Sequence, residues 1–326
     1  MDTKYILYTL IVIFGIIALY KIKEHYQIMN DNNDNNNNDD NKNNKEITEH
    51  FKSSKKSKFT KEDFASLNSV QKVKNKFSKE NFEDTENTLI ENGKKLAKFV
   101  DGEFKIERSC KISKNGLNTN RLDIGICFDH DNDKLKERAK YVKNYFSADP
   151  KLVDFLEDKL TKMNTGEIAY ALDNSIKGEK IYISNGSTGH IYGLEKIGSK
   201  YTPRVYNVEL NVQDKAKDIL NKFYPNKKII KEFPVSIING IGYRKFIGAG
   251  EKKKLASYYF QTKKYKKVGD FDKFILSCAD NLNCSKSIKN QLKDWVKEHS
   301  DKYLFWFAFS YHKGEPSVTI YYRDAI

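Results

Sequence analysis

The 326-residue sequence predicts an α+β fold: five antiparallel hairpins flanked by helices, ten strands in all, preceded by one N-terminal transmembrane helix and a disordered linker. Three observations predict it. Short segments with period-two alternation recur in pairs separated by turn-forming residues; longer segments with apolar residues three and four apart lie between the pairs; and the chain opens on an uncharged run followed by a tract with no apolar residue at all. An aromatic share of 13% excludes a wholly disordered chain. Four Cys with no CxxC or HxxxH spacing argue against a zinc-built fold, and a body of about 265 residues is too large for a disulfide-held mini-protein.

Residues 5–20, YILYTLIVIFGIIALY, are sixteen consecutive uncharged residues between Lys4 and Lys21. As a helix they span about 24 Å, which snorkelling Lys and interfacial Tyr extend toward the bilayer thickness. The run has neither a polar face nor a small-x-small cleavage site, so it reads as a signal anchor (residues 1–28 with its flanks) rather than a core helix or a cleaved leader. Lys21 and Lys23 beyond it outnumber Lys4 before it, which points to a cytosolic C-terminal body. The linker, 29–50, includes the tract 30–45, made of ten Asn, four Asp and two Lys. Nothing in it can offset the entropy of ordering. The next segment, 51–84, is a Lys-rich helical lead-in with nine Lys between positions 52 and 79. It suits an anionic lipid surface or nucleic acid, and equally a solvated helix face. The first fifty residues hold five Lys against eight acids, so of the total charge of +14 the remainder of the chain carries +17.

The body, 85–326, repeats a helix-flanked hairpin in degenerate form. Residues 104–112 turn through Asn115-Gly116 into 121–128, and 167–173 turn near Lys177-Gly178 into 180–184. Residues 189–197 turn near Pro203 into 204–210, 241–247 turn through Gly248 and Gly250 into 255–262, and 303–311 turn through Lys313-Gly314 into 317–323. Helical spacing marks 85–100, 133–146, 150–163, 213–224, 270–279 and 285–299. Asp133 and Ser285 stand where N-caps belong.

Strand alternation separates two faces. Arg121, Asp123, Gly125 and Cys127 share one face of their strand, with Leu122, Ile124, Ile126 and Phe128 on the other. Lys180, Tyr182 and Ser184 are split in the same way from Ile181 and Ile183, and Ser317, Thr319, Tyr321 and Arg323 from Val318, Ile320 and Tyr322. The aliphatic face packs on helices. The polar, Tyr-rich face either meets water on an open sheet or lines the lumen of a closed barrel, and closure has the advantage of removing exposed edges.

Three stretches, EIAYALDNSIKGEKIYIS (167–184), YLFWFAFSYHKGEPSVTIYYR (303–323) and ERSCKI with RLDIGICFD (107–112 and 121–129), set on five helix-flanked hairpins, resemble the aromatic prenyltransferases of the ABBA type, the PT barrel. The resemblance covers residues 85–326. The family's Lys-x-Tyr pattern stands intact at Lys180 and Tyr182 and becomes Ser257-x-Tyr259 and Thr319-x-Tyr321 elsewhere. The resemblance implies a ten-stranded αββα barrel, and a membrane-anchored enzyme that transfers a prenyl group from an allylic diphosphate to an aromatic or peptide acceptor without metal or cofactor. It makes Arg121, Lys180 and Arg323 the diphosphate ligands, and Tyr182, Tyr259 and Tyr321 the shield of the allylic cation, at roughly 0.5–2 kcal/mol per ring. Asp123 then orients or deprotonates the acceptor. A working site requires the strands to close with these three cations in one compartment. The alternative, from another class, is a non-enzymatic membrane-anchored structural or binding protein of a virion or organelle membrane, its Tyr residues merely pairing across strands.

Other signals are weaker. Asp129-His-Asp-Asn-Asp133 resembles a DxD metal motif, but an Asx-rich turn capping the next helix explains it as well. It is not an EF-hand loop, since Lys134 and Lys140 occupy the positions that need Gly and Glu. The glycine loops at 186–189 and 248–250 read as hairpin turns, not phosphate cradles. Nucleic-acid binding rests only on the charge and on aromatics near Lys in 258–267.

Overall fold

The computed structural model describes residues 82–99, 102–127, 149–160, 165–173, 176–185 and 189–324, all within the compact unit Phe59–Ile326. The anchor, the linker, nearly all of the Lys-rich lead-in, the expected helix 133–146 and the 129–133 motif lie outside the described residues. Among the described residues no helix is long and apolar enough to cross a membrane.

Helix α1 (Phe82–Phe99) leads into β1 (Glu103–Ser113), a three-residue strand β2 (Gly116–Asn118) and β3 (Arg121–Cys127); α2 (Pro150–Leu160) precedes β4 (Thr165–Asp173), β5 (Gly178–Asn185), β6 (Ile191–Ile197) and β7 (Lys200–Leu210). Helices α3 (Ala216–Phe223) and α4 (Lys227–Glu232) connect to β8 (Ile238–Ile247) and β9 (Lys254–Thr262), and α5 (Asp272–Asn281) and α6 (Lys286–Glu298) to β10 (Tyr303–His312) and β11 (Glu315–Arg323). Each long strand pairs antiparallel with its neighbour, and β11 pairs back onto β1 from Arg108↔Tyr322 to Ser113↔Ser317. Ten strands therefore close into an antiparallel barrel. The open-sheet alternative falls, and with it the exposed edges it would have had.

Paired residues can be followed round the barrel: Glu103, Cys127, Glu167, Ser184, Ile191, Tyr206, Lys245, Ser257, Ser310 and Ser317, arriving at Ser113. The circuit ends ten residues further along the strand on which it began, a stagger of one residue per strand. A stagger of that kind tilts the strands by about 35–45° and opens a lumen wider than that of an eight-stranded barrel.

The hydrophobic core lies outside the barrel wall. Leu122, Ile124, Ile126, Ile168, Tyr170, Ile181 and Ile183 pack with Leu89 and Leu96 of α1 and Leu152 and Leu156 of α2. On the other side Phe260, Phe307, Phe309, Val318 and Ile320 pack with Phe233, Ile275, Leu292 and Trp295. Helix α6 starts where expected because Ser285 caps it, accepting from the Ile288 N–H, and it buries the Leu292, Trp295, Val296 stripe. Helix α4, capped by Asn226 through the Ile229 N–H, is too short to register as a helical period.

Two boundaries depart from expectation. The third hairpin turns at Gly198, at φ +57°, and not at Pro203, which sits within β7 opposite Leu194. Gly is free to adopt that left-handed conformation, and a proline fits a strand wherever its missing N–H is not needed. Strand β8 also begins three residues earlier than alternation suggested, at Ile238, because an irregularity between Ile238 and Gly242 interrupts the period.

Phe233 joins the helical layer to the wall: it is 1% exposed and its ring meets those of Phe260, Phe274, Phe307 and Phe309. Phe233→Ala is expected to lower the unfolding free energy by about 3–5 kcal/mol in urea titrations; a loss below about 1 kcal/mol contradicts this packing.

Candidate functional site

Five strands, β3, β5, β7, β9 and β11, run from the end that carries the hairpin turns toward the opposite, crossover end. Stagger by one residue per strand brings every second strand back into phase at an offset of two residues, so inward side chains from these five strands fall into common layers. Each contributes a pair two residues apart: Arg121 and Asp123, Lys180 and Tyr182, Arg204 and Tyr206, Ser257 and Tyr259, Thr319 and Tyr321. The first member of each pair lies on the turn side. The second lies on the crossover side.

The second members form a belt across the lumen. Tyr182 and Tyr206 have centroids 5.8 Å apart, Tyr206 and Tyr259 5.6 Å, and Tyr259 and Tyr321 5.7 Å. Tyr206 donates to Tyr182 and Tyr321 donates to Tyr259, both at 3.4 Å. Burial pushes all four phenols above their ordinary range, so they stay neutral donors. Gly193 makes room for this belt: a Cβ there would stand 2.6 Å from the Tyr182 ring.

On the turn side of the belt, Lys111 and Lys245 join Arg121, Lys180 and Arg204. These five basic side chains face two buried carboxylates. Asp173 accepts from Arg121 Nε at 3.0 Å, and Glu195 bridges Lys180, at 3.2 Å, and Arg204. Burial would raise the Glu195 carboxyl, but Lys180 and Arg204 hold it below the usual range. The carboxylates do not use up the donors: Arg121 Nη1 and the Nε and Nη1 of Arg204 are buried without a hydrogen-bond partner. Lys245 lies 5.6 Å from the Tyr206 ring. Burial, reinforced by the charges of Lys180 and Arg204, pushes its amine well below the ordinary range. Lys111 is lowered by burial and then by Arg121.

On the crossover side lies a cavity of about 390 Å³, within the range of small-molecule sites. Its walls include the aromatic Tyr243, Phe305 and Trp306, and the carboxyls Glu107, Asp123 and Glu167. Glu107 and Asp123 are directly paired across β1 and β3. Asp123 is pushed up to about 7 by burial and then by the Glu167 charge, and Glu107 is raised well above its ordinary range by burial and then by Asp123. Gly125 leaves the space that the Glu167 carboxyl occupies.

Of the residues picked from sequence, Arg121 and Lys180 meet on the turn side and border one small void with Asp123, Tyr182 and Tyr321. Tyr182, Tyr259 and Tyr321 meet in the belt. Arg323 stands apart: its guanidinium stacks 3.7 Å from the Phe305 ring and lines the large cavity, about 13 Å along β11 from Thr319 in the cation layer. Sequence reasoning missed Arg204, Tyr206, Lys245 and Glu107. The first two repeat the spacing of Lys180 and Tyr182 and were findable; the others needed the register. Among the described residues no cluster of three or more His, Cys, Asp or Glu side chains is arranged to hold a metal ion.

Comparison with family models and with curated proteins returns no match for this chain.

Asp123 ionises near 3.8 in an unfolded chain and near 7 in the barrel, so the native state holds the extra proton between those values and stability falls as pH rises through that window. Asp123→Asn is expected to flatten the decline of the urea midpoint between about pH 4 and pH 7. A variant whose profile parallels the parent across that window contradicts the assignment.

Proposed function

We propose that the chain is a PT-like αββα barrel that binds an allylic diphosphate and transfers its prenyl group to an aromatic or peptide acceptor, held at a membrane by the apolar run 5–20. The observation that carries the reading is the layering of the lumen: five basic side chains with unpaired guanidinium nitrogens, then a tyrosine belt, then an aromatic cavity. In this reading the diphosphate takes the place of Asp173 and Glu195 as partner of Arg121, Lys180 and Arg204. An arriving anion favours the charged form of Lys245, which burial and its cationic neighbours disfavour.

The chemistry follows the layers. The C1–O bond of the allylic diphosphate breaks, and the diphosphate leaves with the bonding pair into the cation layer. The four phenol rings present their π faces to the allylic cation and keep water from it. An acceptor atom in the cavity supplies the electron pair for the new bond to C1, and the proton it loses passes to Asp123, with Glu107 alongside. Arg323 lies in the other compartment, so the requirement that Arg121, Lys180 and Arg323 share one compartment is not met, which counts against transfer; the reading stands only with Arg204 and Lys245 in the place of Arg323.

One observation favours a second reading. The void beside Arg121 and Lys180 has only about 30 Å³, room for a water or two. The Arg121–Asp173 and Lys180–Glu195–Arg204 pairs must open to admit a diphosphate. If they never open, the layer is an ionic plug in a binding or structural barrel.

Calorimetry of the full chain in detergent separates the two. The transfer reading expects saturable binding of geranyl diphosphate, none of geraniol, and affinity weakened by about 10- to 100-fold in Arg204→Ala, the loss of a charge-assisted contact. Absence of binding at high micromolar geranyl diphosphate leaves the plug.

A further inference from the structure

We propose that the turn end of the barrel is a docking face for an anionic lipid bilayer, independent of the lumen and of the N-terminal apolar run. Six exposed lysines, Lys114, Lys177, Lys200, Lys252, Lys254 and Lys313, ring this end, at least one beside every hairpin turn. Of the exposed acids at this end, Glu251 and Glu315 stand at the turns and Glu83 and Asp84 in the first turn of α1, and Glu315 is engaged by the Asn115 amide at 3.1 Å.

The rim is also apolar. Ile176 and Ile197 are 43% and 40% exposed, and Tyr311 is 38% exposed. Ile176 and Ile197 sit side by side over Gly178, where a Cβ would touch both at 3.0 and 3.4 Å. Three of the five large hydrophobics exposed among the described residues thus occupy one end, interleaved with lysines. Lysines that meet anionic headgroups while short apolar side chains enter the interface is the chemistry of a peripheral membrane contact. Exposed isoleucines suit a lipid interface better than a nucleic-acid backbone, which is bound through basic side chains and stacking aromatic rings.

The crossover end differs. Its exposed Lys98, Lys215, Lys263, Lys264, Lys267 and Lys297 are matched by as many exposed acids, Glu103, Asp214, Asp270, Glu298, Asp301 and Asp324.

Helix α1 also reaches this end. Glu86 pairs with Arg108, Gly93 faces Phe104, and the Gly102 N–H donates to the Ala97 carbonyl. Helix α1 therefore runs antiparallel to β1, and its first turn lies toward the turn end. Docking there does not engage the crossover end, where Phe305, Trp306 and Arg323 line the large cavity.

Amide hydrogen exchange of the full chain tests the face, with phosphatidylcholine vesicles compared with vesicles containing phosphatidylserine. Exchange within 113–116, 176–178, 197–200, 248–254 and 312–315 is expected to slow with phosphatidylserine and not at 263–267. The slowing should be lost when Lys114, Lys177, Lys200 and Lys313 are replaced by Glu. Strand amides report whether that variant is folded, and the corresponding Gln variant, expected to lose most of the slowing, replaces it if it is not. Equal exchange at the turns with both vesicles overturns the proposal, as does slowing centred on 263–267. Slowing of the turns by an oligonucleotide but not by phosphatidylserine vesicles overturns it in favour of a nucleic-acid surface.

Discussion

A stagger of one residue per strand governs the interior of this protein. Because the circuit from Glu103 ends at Ser113, alternate strands present inward residues at equal heights, and residues far apart in sequence become members of one layer. Had the strands closed with a different stagger, Lys180 and Arg204 would not share a level, nor would Tyr182 and Tyr321. The hydrophobic core, placed between wall and helices, is what allows a lumen to exist: the fold does not need its interior for packing. Helices α5 and α6, with the Phe233 ring cluster, hold the wall from outside while polar side chains fill the inside.

Layering makes the lumen electrically two-sided. Basic side chains outnumber acids on the turn side of the tyrosine belt, and carboxyls gather on the other. Each half strains its own titratable groups. Lys245 is driven down by burial and by its cationic neighbours, while Asp123 is driven up by burial and by Glu167. An anion entering one half relieves the first, and a proton delivered to the other is what the second is poised to hold. A reaction that expels an anion on one side of a ring of phenols and a proton on the other would use both halves at once, and this is the physical content of the prenyl-transfer proposal.

Much of the wall was legible in the sequence because period-two alternation is a local signal. Arg121 and Asp123 share one face, as do Lys180 and Tyr182, as their alternation indicated, and closure turns that face inward. Closure was not legible in the alternation, since the pairing of β11 with β1 joins residues more than two hundred positions apart; only the resemblance implied it. The same limit explains Arg323: it shares a strand face with Tyr321, and only the stagger decides that it belongs to the far compartment. Lys245 was invisible for a related reason. Strand β8 runs against β7, so the tyrosine and the lysine stand in the reverse order, Tyr243 before Lys245, and the Lys-x-Tyr wording is lost. Pro203 misled because a proline in a Gly-rich region is ordinarily a turn residue, whereas here Gly198 makes the turn and the proline is absorbed into β7.

In the proposed reading the turn-side layer is an anion site whose charges Asp173 and Glu195 cover until a diphosphate arrives. Thermal unfolding of the full chain with inorganic pyrophosphate, at constant ionic strength, tests it most directly. The account predicts a melting temperature that rises with pyrophosphate concentration, through binding to the native state alone, and a rise abolished in Arg204→Gln. A melting temperature that does not respond to pyrophosphate, or that rises equally in Arg204→Gln, would contradict it.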